Sequence, residues 1–356
     1  MKSYTCSRRD FLKTGAIAAG AYIAAPAFAD EEAPLPGVTV STAYPETSTQ
    51  LKIGDPARFT VLQFTDAHFF LDRPEVPGVD DHTRADWKKM VDVYKPDLVA
   101  MTGDLWHDNP EGRGAEYQTS CIQTLESLGV PWVYTWGNHD QMNDFVKGHD
   151  AFHDAKNSLY RGGATGGNYT IDIVNSEGKR VWELLCLNTH RHGVHGTTHD
   201  WLTKFAADVK DKDQPRYAFF HIPIKQYLSA RIKRTYSGIS YEGVAFEKED
   251  GTALGLLKSV GGVRACFVGH DHLNDYAANV EGIDLVFGRS SGWNGYGSDK
   301  IRKGGKLITA NCETGSYAWE SVFPDGLRWK PNPEDHIEEI IDKPFINPKA
   351  GEQAAA

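Results

Sequence analysis

Five short stretches of this chain carry aspartate, asparagine or histidine, and four of them directly follow an apolar run. Apolar runs that end in polar turns are typical of buried strands whose ends face a functional site. Together the stretches offer seven candidate metal ligands, too many for one tetrahedral ion but suitable for two ions that share a carboxylate. The stretches are Asp66-Ala67-His68, Gly103-Asp104, Gly137-Asn138-His139-Asp140, His221 and Gly269-His270-Asp271-His272, and the candidate ligands are Asp66, His68, Asp104, Asn138, His221, His270 and His272.

Short apolar runs alternate with amphipathic stretches from Phe59 onward, and this alternation predicts an α/β fold. The apolar runs are uninterrupted, which indicates strands buried on both faces and helices packed outside the sheets. Trp87, Val91 and Tyr94 have the spacing of one helix face. The predicted strands are 59–65, 98–102, 132–136, 169–174, 181–187, 217–220, 263–268, 283–287 and 306–311, and the predicted helices are 83–94, 116–128 and 198–209.

Residues 1–29 have the pattern of an export signal. The sequence Ser7-Arg8-Arg9-Asp10-Phe11-Leu12-Lys13 precedes an alanine-rich apolar stretch and the small-x-small site Ala27-Phe28-Ala29. The paired arginines followed by Phe, Leu and Lys look like a twin-arginine signal, with an ordinary secretory signal as the alternative. The apolar stretch is too short to cross a bilayer, which takes about 20 residues. We therefore expect export of the folded protein by the twin-arginine machinery to the periplasm or the medium.

The rest of the chain reads as one domain with two extensions. Residues 30–57 are rich in Pro, Thr, Ser and Glu and predict a linker, 58–330 form the predicted domain, and 331–356 form a charged tail. The formal net charge of −10 disfavours binding to a nucleic-acid backbone or an anionic membrane, because both depend on Lys and Arg. A small phosphorylated substrate remains compatible with this charge, since bound divalent cations dominate the field inside a cleft.

The spacing of the candidate ligands suits metal binding. Asp66 and His68 stand two residues apart after a predicted strand, so in an extended chain both side chains point the same way. His270 and His272 repeat this spacing, and Asp104, after a strand and a glycine, is placed to bridge two ions. The set mixes imidazole and oxygen ligands without a thiolate, which favours Zn, Mn or Fe over Ca.

At these residues the chain resembles the calcineurin-like metallophosphoesterase superfamily. The ordered motifs of that family are Asp-x-His, Gly-Asp, Gly-Asn-His-Asp/Glu, a single His and Gly-His-x-His, and all of them occur here between Asp66 and His272. The resemblance implies an α/β four-layer sandwich of two mixed β-sheets flanked by helices. It also implies that one ion binds Asp66, His68 and His272, that the second binds Asn138, His221 and His270, and that Asp104 binds both.

Within the superfamily, the stretches around His221 and His270 look like the purple-acid-phosphatase-like branch of plants and fungi. True purple acid phosphatases have a tyrosine ligand three residues after the bridging aspartate, where this chain has His107. Their first motif also lacks the histidine that His68 supplies. These departures argue against a purple, tyrosine-ligated ferric site, and the expected cofactors are two divalent or trivalent ions of Zn, Mn or Fe.

The resemblance implies a phosphoesterase in which a hydroxide between two ions, about 3.5–4 Å apart, attacks phosphorus, and the signal pattern of residues 1–29 predicts that the enzyme is exported. His139 is the candidate acid for the leaving oxygen, with Asp140 as the carboxylate that holds its ring. His107 and Arg191 are candidate contacts for the substrate phosphate.

The expected substrate is a small phosphomonoester or a phosphoprotein. Two alternatives remain open from sequence: a phosphodiesterase for cyclic nucleotides or phospholipid head groups, and a non-catalytic metal-dependent binding protein.

Overall fold

The computed structural model describes residues 48–71 and 77–338. The predicted signal peptide, 1–29, lies outside the described residues, as do 30–47 of the predicted linker and 339–356 of the predicted tail. The described strands are β1 (Ser48–Lys52), β2 (Phe59–Phe64), β3 (Leu98–Thr102), β4 (Trp132–Thr135), β5 (Tyr169–Val174), β6 (Arg180–Cys186), β7 (Arg216–Phe219), β8 (Ser237–Ser240), β9 (Val263–Val268), β10 (Asn274–Val280), β11 (Ile283–Phe287), β12 (Gly305–Asn311), β13 (Ser316–Val322), β14 (Arg328–Trp329) and β15 (His336–Ile337). The described helices are α1 (Val79–Tyr94), α2 (Gly114–Ser127), α3 (Phe145–Asp154), α4 (Gly196–Asp208), α5 (Lys225–Lys233) and α6 (Ala253–Val260).

These strands form two mixed sheets. Among the described residues, one sheet has six strands in the order β14-β13-β12-β2-β3-β4, and the other has nine in the order β1-β5-β6-β7-β9-β11-β10-β8-β15. The centre of each sheet is parallel: β2, β3 and β4 run together in the first, and β6, β7, β9 and β11 in the second. Antiparallel strands flank both centres. The predicted α/β fold with two mixed sheets flanked by helices is confirmed.

The core explains why the central strands are continuously apolar. Along β9, Ala265 and Phe267 face the core shared with the six-stranded sheet, whereas Cys266 and Val268 face a second core built with α4, α5 and α6. Helices α1, α2 and α3 cover the six-stranded sheet on its other face. For example, Trp87 of α1 stacks on the ring of Phe64 in β2. Each central strand therefore buries both of its faces between layers.

The elements missed by the sequence analysis are short or polar. β1 lies inside the predicted linker and pairs in parallel with β5, and β15 lies inside the predicted tail and pairs with β8. Neither contains an apolar run, so nothing in the local sequence marks it as a strand. Within the described part of the chain, no helix combines the length and the apolar character that crossing a bilayer requires. The four described cysteines are all free thiols.

A buried ion cluster joins the two sheets. The carboxylate of Asp275 on β10 contacts the ammonium of Lys306 on β12 and accepts a 2.6 Å hydrogen bond from Ser321 Oγ on β13. Arg289 Nε lies 2.7 Å from the same carboxylate, and all four side chains are buried. Burial raises the pKa of Asp275, but Arg289 and Lys306 outweigh this and lower it below its usual value. Asp275 is therefore ionised at neutral pH.

We expect Asp275→Asn to lower the free energy of unfolding by about 3–5 kcal/mol, because two buried cations lose their counter-charge. Urea unfolding at neutral pH measures the change. As a control, Glu281→Gln removes the partner of Lys258 in an exposed pair, which is worth at most about 1 kcal/mol. Equal losses in the two variants would contradict a role for the cluster in holding the sheets together.

Candidate metal centre

The candidate ligands meet where the parallel strands of both sheets end. Asp66, Asp104 and Asn138 follow β2, β3 and β4 of the six-stranded sheet, while His221 and His270 follow β7 and β9 of the other. Ligand sites in α/β proteins lie at this carboxyl edge. Contacts between the sheets fix the arrangement: the amide of His270 donates to Asp66 Oδ1 (3.1 Å), and His221 Nδ1 lies 2.9 Å from the carbonyl of Thr102.

The backbone is left-handed at four of the seven candidate ligands. Asp66, His68, Asp104 and His270 have φ of 57°, 49°, 52° and 76°. Residues other than glycine rarely adopt this region, and they persist there where surrounding contacts hold them, often at functional sites. The side chains of Asp66 and His68 do lie close together, as expected. The extended backbone expected from their spacing is wrong, because left-handed conformations at both residues bring the side chains together.

Glycines make room for this approach. A Cβ on Gly103, whose φ is +80°, would lie 2.5 Å from Cγ of His221. A Cβ on Gly137 would lie 2.2 Å from the backbone nitrogen of Asp104. The glycines that precede Asp104 and Asn138 are therefore required by packing at the site.

The first cluster comprises Asp66, His68, Asp104 and His272, which offer ligand atoms within 4.8 Å of one another. His68 Nε2 lies 3.1 Å from His272 Nε2 and 3.6 Å from Asp104 Oδ2. His272 Nε2 lies 3.3 Å from Asp66 Oδ1. All four side chains are at most 2% exposed, so the cluster is shielded from bulk water.

The second cluster comprises Asp104, His221 and His270, and Asn138 adjoins it. His221 Nε2 lies 3.0 Å from Asn138 Oδ1, 3.2 Å from Asp104 Oδ2 and 3.3 Å from His270 Nδ1. Asp104 thus belongs to both clusters. The structure brings all seven sequence-predicted ligands into two groups that share one carboxylate.

The donor atoms of this arrangement fit cations. With its Nδ1 proton on the carbonyl of Thr102, His221 presents a lone pair on Nε2 to the oxygens of Asn138 and Asp104 and to a nitrogen of His270. Facing acceptors repel one another unless a cation or a proton lies between them. In the absence of ions, burial lowers the pKa of His221, but Asp104 outweighs this and raises it to about 10. A proton then occupies the place of the cation, so metal binding must release it.

Groups outside the two clusters contact the candidate histidine ligands on the side of each ring that faces away from the site. His272 stacks on Tyr296 with ring centroids 4.0 Å apart, and its Nδ1 lies 3.4 Å from the Tyr296 carbonyl. The Tyr296 hydroxyl donates to buried Glu242 (2.8 Å). His270 Nε2 lies 3.6 Å from Glu247. Such contacts orient ligating histidines. No motif in the sequence marks Tyr296, Glu242 or Glu247 as site residues, because all three lie in loops.

The structure contradicts the predicted role of Asp140. Asp108, not Asp140, lies at the ring of His139, with 3.1 Å between Asp108 Oδ1 and His139 Nδ1. Asp140 is fully buried and accepts hydrogen bonds from four backbone N–H groups, those of Asp104 (2.9 Å), Leu105 (2.7 Å), Trp106 (3.2 Å) and Gly137 (2.7 Å). Asp140 therefore shapes the turns that carry Asp104 and Asn138.

The two predicted substrate contacts differ in position. The half-buried ring of His107 stacks on His139, with centroids 4.9 Å apart, so His107 lies beside the first cluster. Arg191 is exposed on the loop after β6. Its neighbour His190 turns inward instead, with Nε2 3.3 Å from Gln141 Nε2, and Gln141 also contacts the Asn138 carbonyl. The position of His190 near the site was not predictable from the sequence, because it depends on a left-handed backbone (φ 35°) that the sequence does not reveal.

Comparison with known proteins places the chain in a family. Residues 59–274, more than half of the chain, match the family model Metallophos, described as calcineurin-like phosphoesterase. The chain therefore belongs to the calcineurin-like phosphoesterase family, as its motifs predicted.

Two curated relatives and one solved structure are similar to this chain. "Probable inactive purple acid phosphatase 28" of Arabidopsis thaliana is 26% identical over 76% of this chain and 80% of its own length. "3',5'-cyclic adenosine monophosphate phosphodiesterase CpdA" of Escherichia coli is 28% identical over 47% of this chain and 57% of its own length. A solved dimetal phosphatase from Danio rerio aligns with a TM-score of 0.46 and 12% identity, over 72% of this chain and 96% of its own.

Asp140→Asn should lower the free energy of unfolding of the metal-free protein by about 2–4 kcal/mol, because an amide leaves buried N–H donors without an acceptor. Asp108→Asn, at a half-exposed position, should cost less than about 1 kcal/mol. Urea denaturation of both variants provides the measurement. Similar losses would mean that Asp140 does not have the structural role assigned above.

Proposed function

We propose that this chain is an exported two-metal phosphoesterase that acts mainly on phosphate monoesters. The observation that carries the proposal is the pair of ligand clusters sharing Asp104. Membership of the phosphoesterase family supports hydrolysis of a phosphate ester as the reaction. Export rests on the sequence of residues 1–29 alone and remains a prediction.

The residues of the two clusters divide between the ions as the family resemblance implies. Bound ions would hold phosphate oxygens and lower the pKa of a coordinated water toward neutrality. Asp104 would contact both ions, and its amide and carboxylate are already fixed by Asp140 and by the amide of His139. We propose that one ion takes Asp66, His68 and His272, and that the second takes Asn138, His221 and His270.

His139 is the proposed acid for the leaving oxygen. Its ring meets the His68 ring edge-on with centroids 5.0 Å apart, which places it beside the first cluster. Burial lowers the pKa of His139, but the Asp104 charge and the Asp108 hydrogen bond outweigh this and raise it to about 9. In the metal-free protein, His139 is therefore protonated at neutral pH. Asp108 at Nδ1 orients the ring, as carboxylates do for catalytic histidines.

The rim of the site is acidic, and we propose that a small phosphoester or a phosphoprotein segment binds there through the metal ions. Glu247 is exposed beside the second cluster, and Asp108 is half-exposed beside the first cluster, so both sides of the rim carry an acidic group. Without cations such a rim would repel phosphate, and the bound ions would supply the attraction. Arg191, which is exposed on the loop after β6, remains a proposed phosphate contact.

Two of the similarities to known proteins are reasons to test the alternative functions as well. The similarity to a cyclic nucleotide phosphodiesterase motivates a diester arm. The similarity to proteins named inactive purple acid phosphatases motivates a test for metal binding without hydrolysis.

The decisive experiment counts bound metals in the purified protein and compares hydrolysis of a nitrophenyl monoester with that of the bis-nitrophenyl diester. We expect two equivalents of metal, faster hydrolysis of the monoester, and loss of activity on chelation. Asp104→Asn should lower metal content and reduce kcat by at least about 100-fold, because it removes the shared charged ligand. Faster diester hydrolysis would favour the phosphodiesterase, and two bound metals without hydrolysis of either ester would favour the binding protein.

A second prediction concerns His139. His139→Ala should lower kcat by about 100-fold or more for an alkyl phosphate, whose leaving group needs a proton. For nitrophenyl phosphate the loss should be much smaller, because nitrophenolate leaves unprotonated. Steady-state kinetics with both esters checks this. Equal losses on the two substrates would exclude the acid role.

A further inference from the structure

Each histidine among the candidate ligands has a group behind its ring, but the group behind His68 is unusual. His221 and His272 face backbone carbonyls, and His270 faces a carboxylate. The far nitrogen of His68, Nδ1, instead lies 3.2 Å from Nδ1 of another imidazole, His107. Carbonyls, carboxylates and water are the common partners of ligating histidines. The contact between His68 and His107 therefore needs its own explanation.

Binding of the proposed ion by Nε2 of His68 would determine which of its nitrogens carries the proton. His68 turns Nε2 toward the first cluster, 3.1 Å from His272 Nε2 and 3.6 Å from Asp104 Oδ2. For Nε2 to offer its lone pair to an ion, the proton of neutral His68 must be on Nδ1. His107 Nδ1 must then be the acceptor, so that His107 keeps its own proton on Nε2, which lies 3.6 Å from Asp108 Oδ2.

Two further contacts hold His107 in this position. Its ring lies between Phe70 and His139, with centroids 4.6 Å and 4.9 Å away, and it is nearly parallel to His139 (13°). Asp108 also contacts His139 Nδ1 through its other oxygen, Oδ1 (3.1 Å). One carboxylate thus faces both the group behind His68 and the proposed acid.

We propose that His107 is a positioning residue that holds His68 in the tautomer and orientation that bind the first ion, with Asp108 connecting this pair to His139. The inference rests on the proposed two-metal function. It replaces the expectation that His107 contacts substrate, because the nitrogen that faces the site is already used by His68.

A rival role for His107 is as a metal ligand. His68, His107 and His139 offer ligand atoms within 4.8 Å of one another. However, ring nitrogens bind in the ring plane, and the rings of His107 and His139 are nearly parallel and stacked. Their nitrogens therefore point side by side rather than at one ion, which favours the positioning role.

Two substitutions of His107 separate the hydrogen bond from the stacking. His107→Asn keeps an acceptor oxygen where Nδ1 stands but loses the ring. His107→Phe keeps the ring between Phe70 and His139 but has no acceptor. Metal-free purified protein is titrated with Co²⁺, and visible absorption follows each equivalent. Glu247→Asn, which shortens the group behind His270 and suits its left-handed backbone (φ 54°), identifies the signal of the second ion.

We expect His107→Phe to weaken one Co²⁺ equivalent by about 10- to 100-fold, the range for lost partners of ligating histidines. It should leave unchanged the equivalent that Glu247→Asn weakens. His107→Asn should bind both equivalents within about threefold of wild type, because its oxygen accepts the His68 proton. Urea unfolding of the metal-free variants confirms that the fold persists.

Several outcomes would overturn the inference while leaving the two-metal function intact. Wild-type binding of both equivalents by His107→Phe would show that His68 needs no acceptor. Equal weakening in the Asn and Phe variants would assign the effect to the ring and not to the hydrogen bond. A third equivalent in wild type that both variants lose would make His107 a ligand. Wild type that binds no Co²⁺ would instead refute the proposed function itself.

Discussion

The buried carboxylate of Asp104 is the point on which the site and the two sheets depend. Its Oδ1 accepts the amide of His139 (2.8 Å), and its Oδ2 lies 3.2 Å from His221 Nε2. These contacts join the turns after β3 and β4 of one sheet to the end of β7 in the other. A buried charge is costly unless it is paired and hydrogen-bonded. The fold therefore creates a site that stays favourable only while a proton or a cation compensates Asp104.

The same few turns carry both stability and function. Asp140 is buried beside these turns and accepts hydrogen bonds from four of the backbone N–H groups. These bonds fix Asp104 in its left-handed conformation. Burial and the charge of Asp104 raise the pKa of Asp140 to about 6, so the two carboxylates oppose each other in the metal-free protein. Cations that neutralise Asp104 relieve this repulsion. Metal binding at the proposed site would thus stabilise the turns that build it, and the turns in return keep strained residues in place.

The clustering of the candidate ligands was predictable from sequence, whereas the groups that hold them were not. Each ligand stands within a few residues of an apolar strand, so a local pattern reveals both the strand and the side chain at its end. Asp140 is adjacent to His139 in the sequence and Asp108 is 31 positions away, yet the path of the turns brings Asp108, not Asp140, to the ring of His139. Tyr296 and Glu242 come from loops that no periodicity marks. Likewise β1 and β15 became strands only because the edges of the large sheet were available to them.

The long sequence separation of the ligands links metal binding to folding. His68 and His272 are 204 positions apart, yet their Nε2 atoms lie 3.1 Å from each other. In an unfolded chain this pair does not exist, so ions that bind the proposed site would bind the folded state selectively and add to its stability. Metal binding would also displace the proton held between His221 and Asp104, so we expect binding to weaken as the pH falls. A protein with these properties gains from folding where the ions are available before it is moved elsewhere. This requirement matches the twin-arginine export predicted from the first residues, since that route carries proteins already folded.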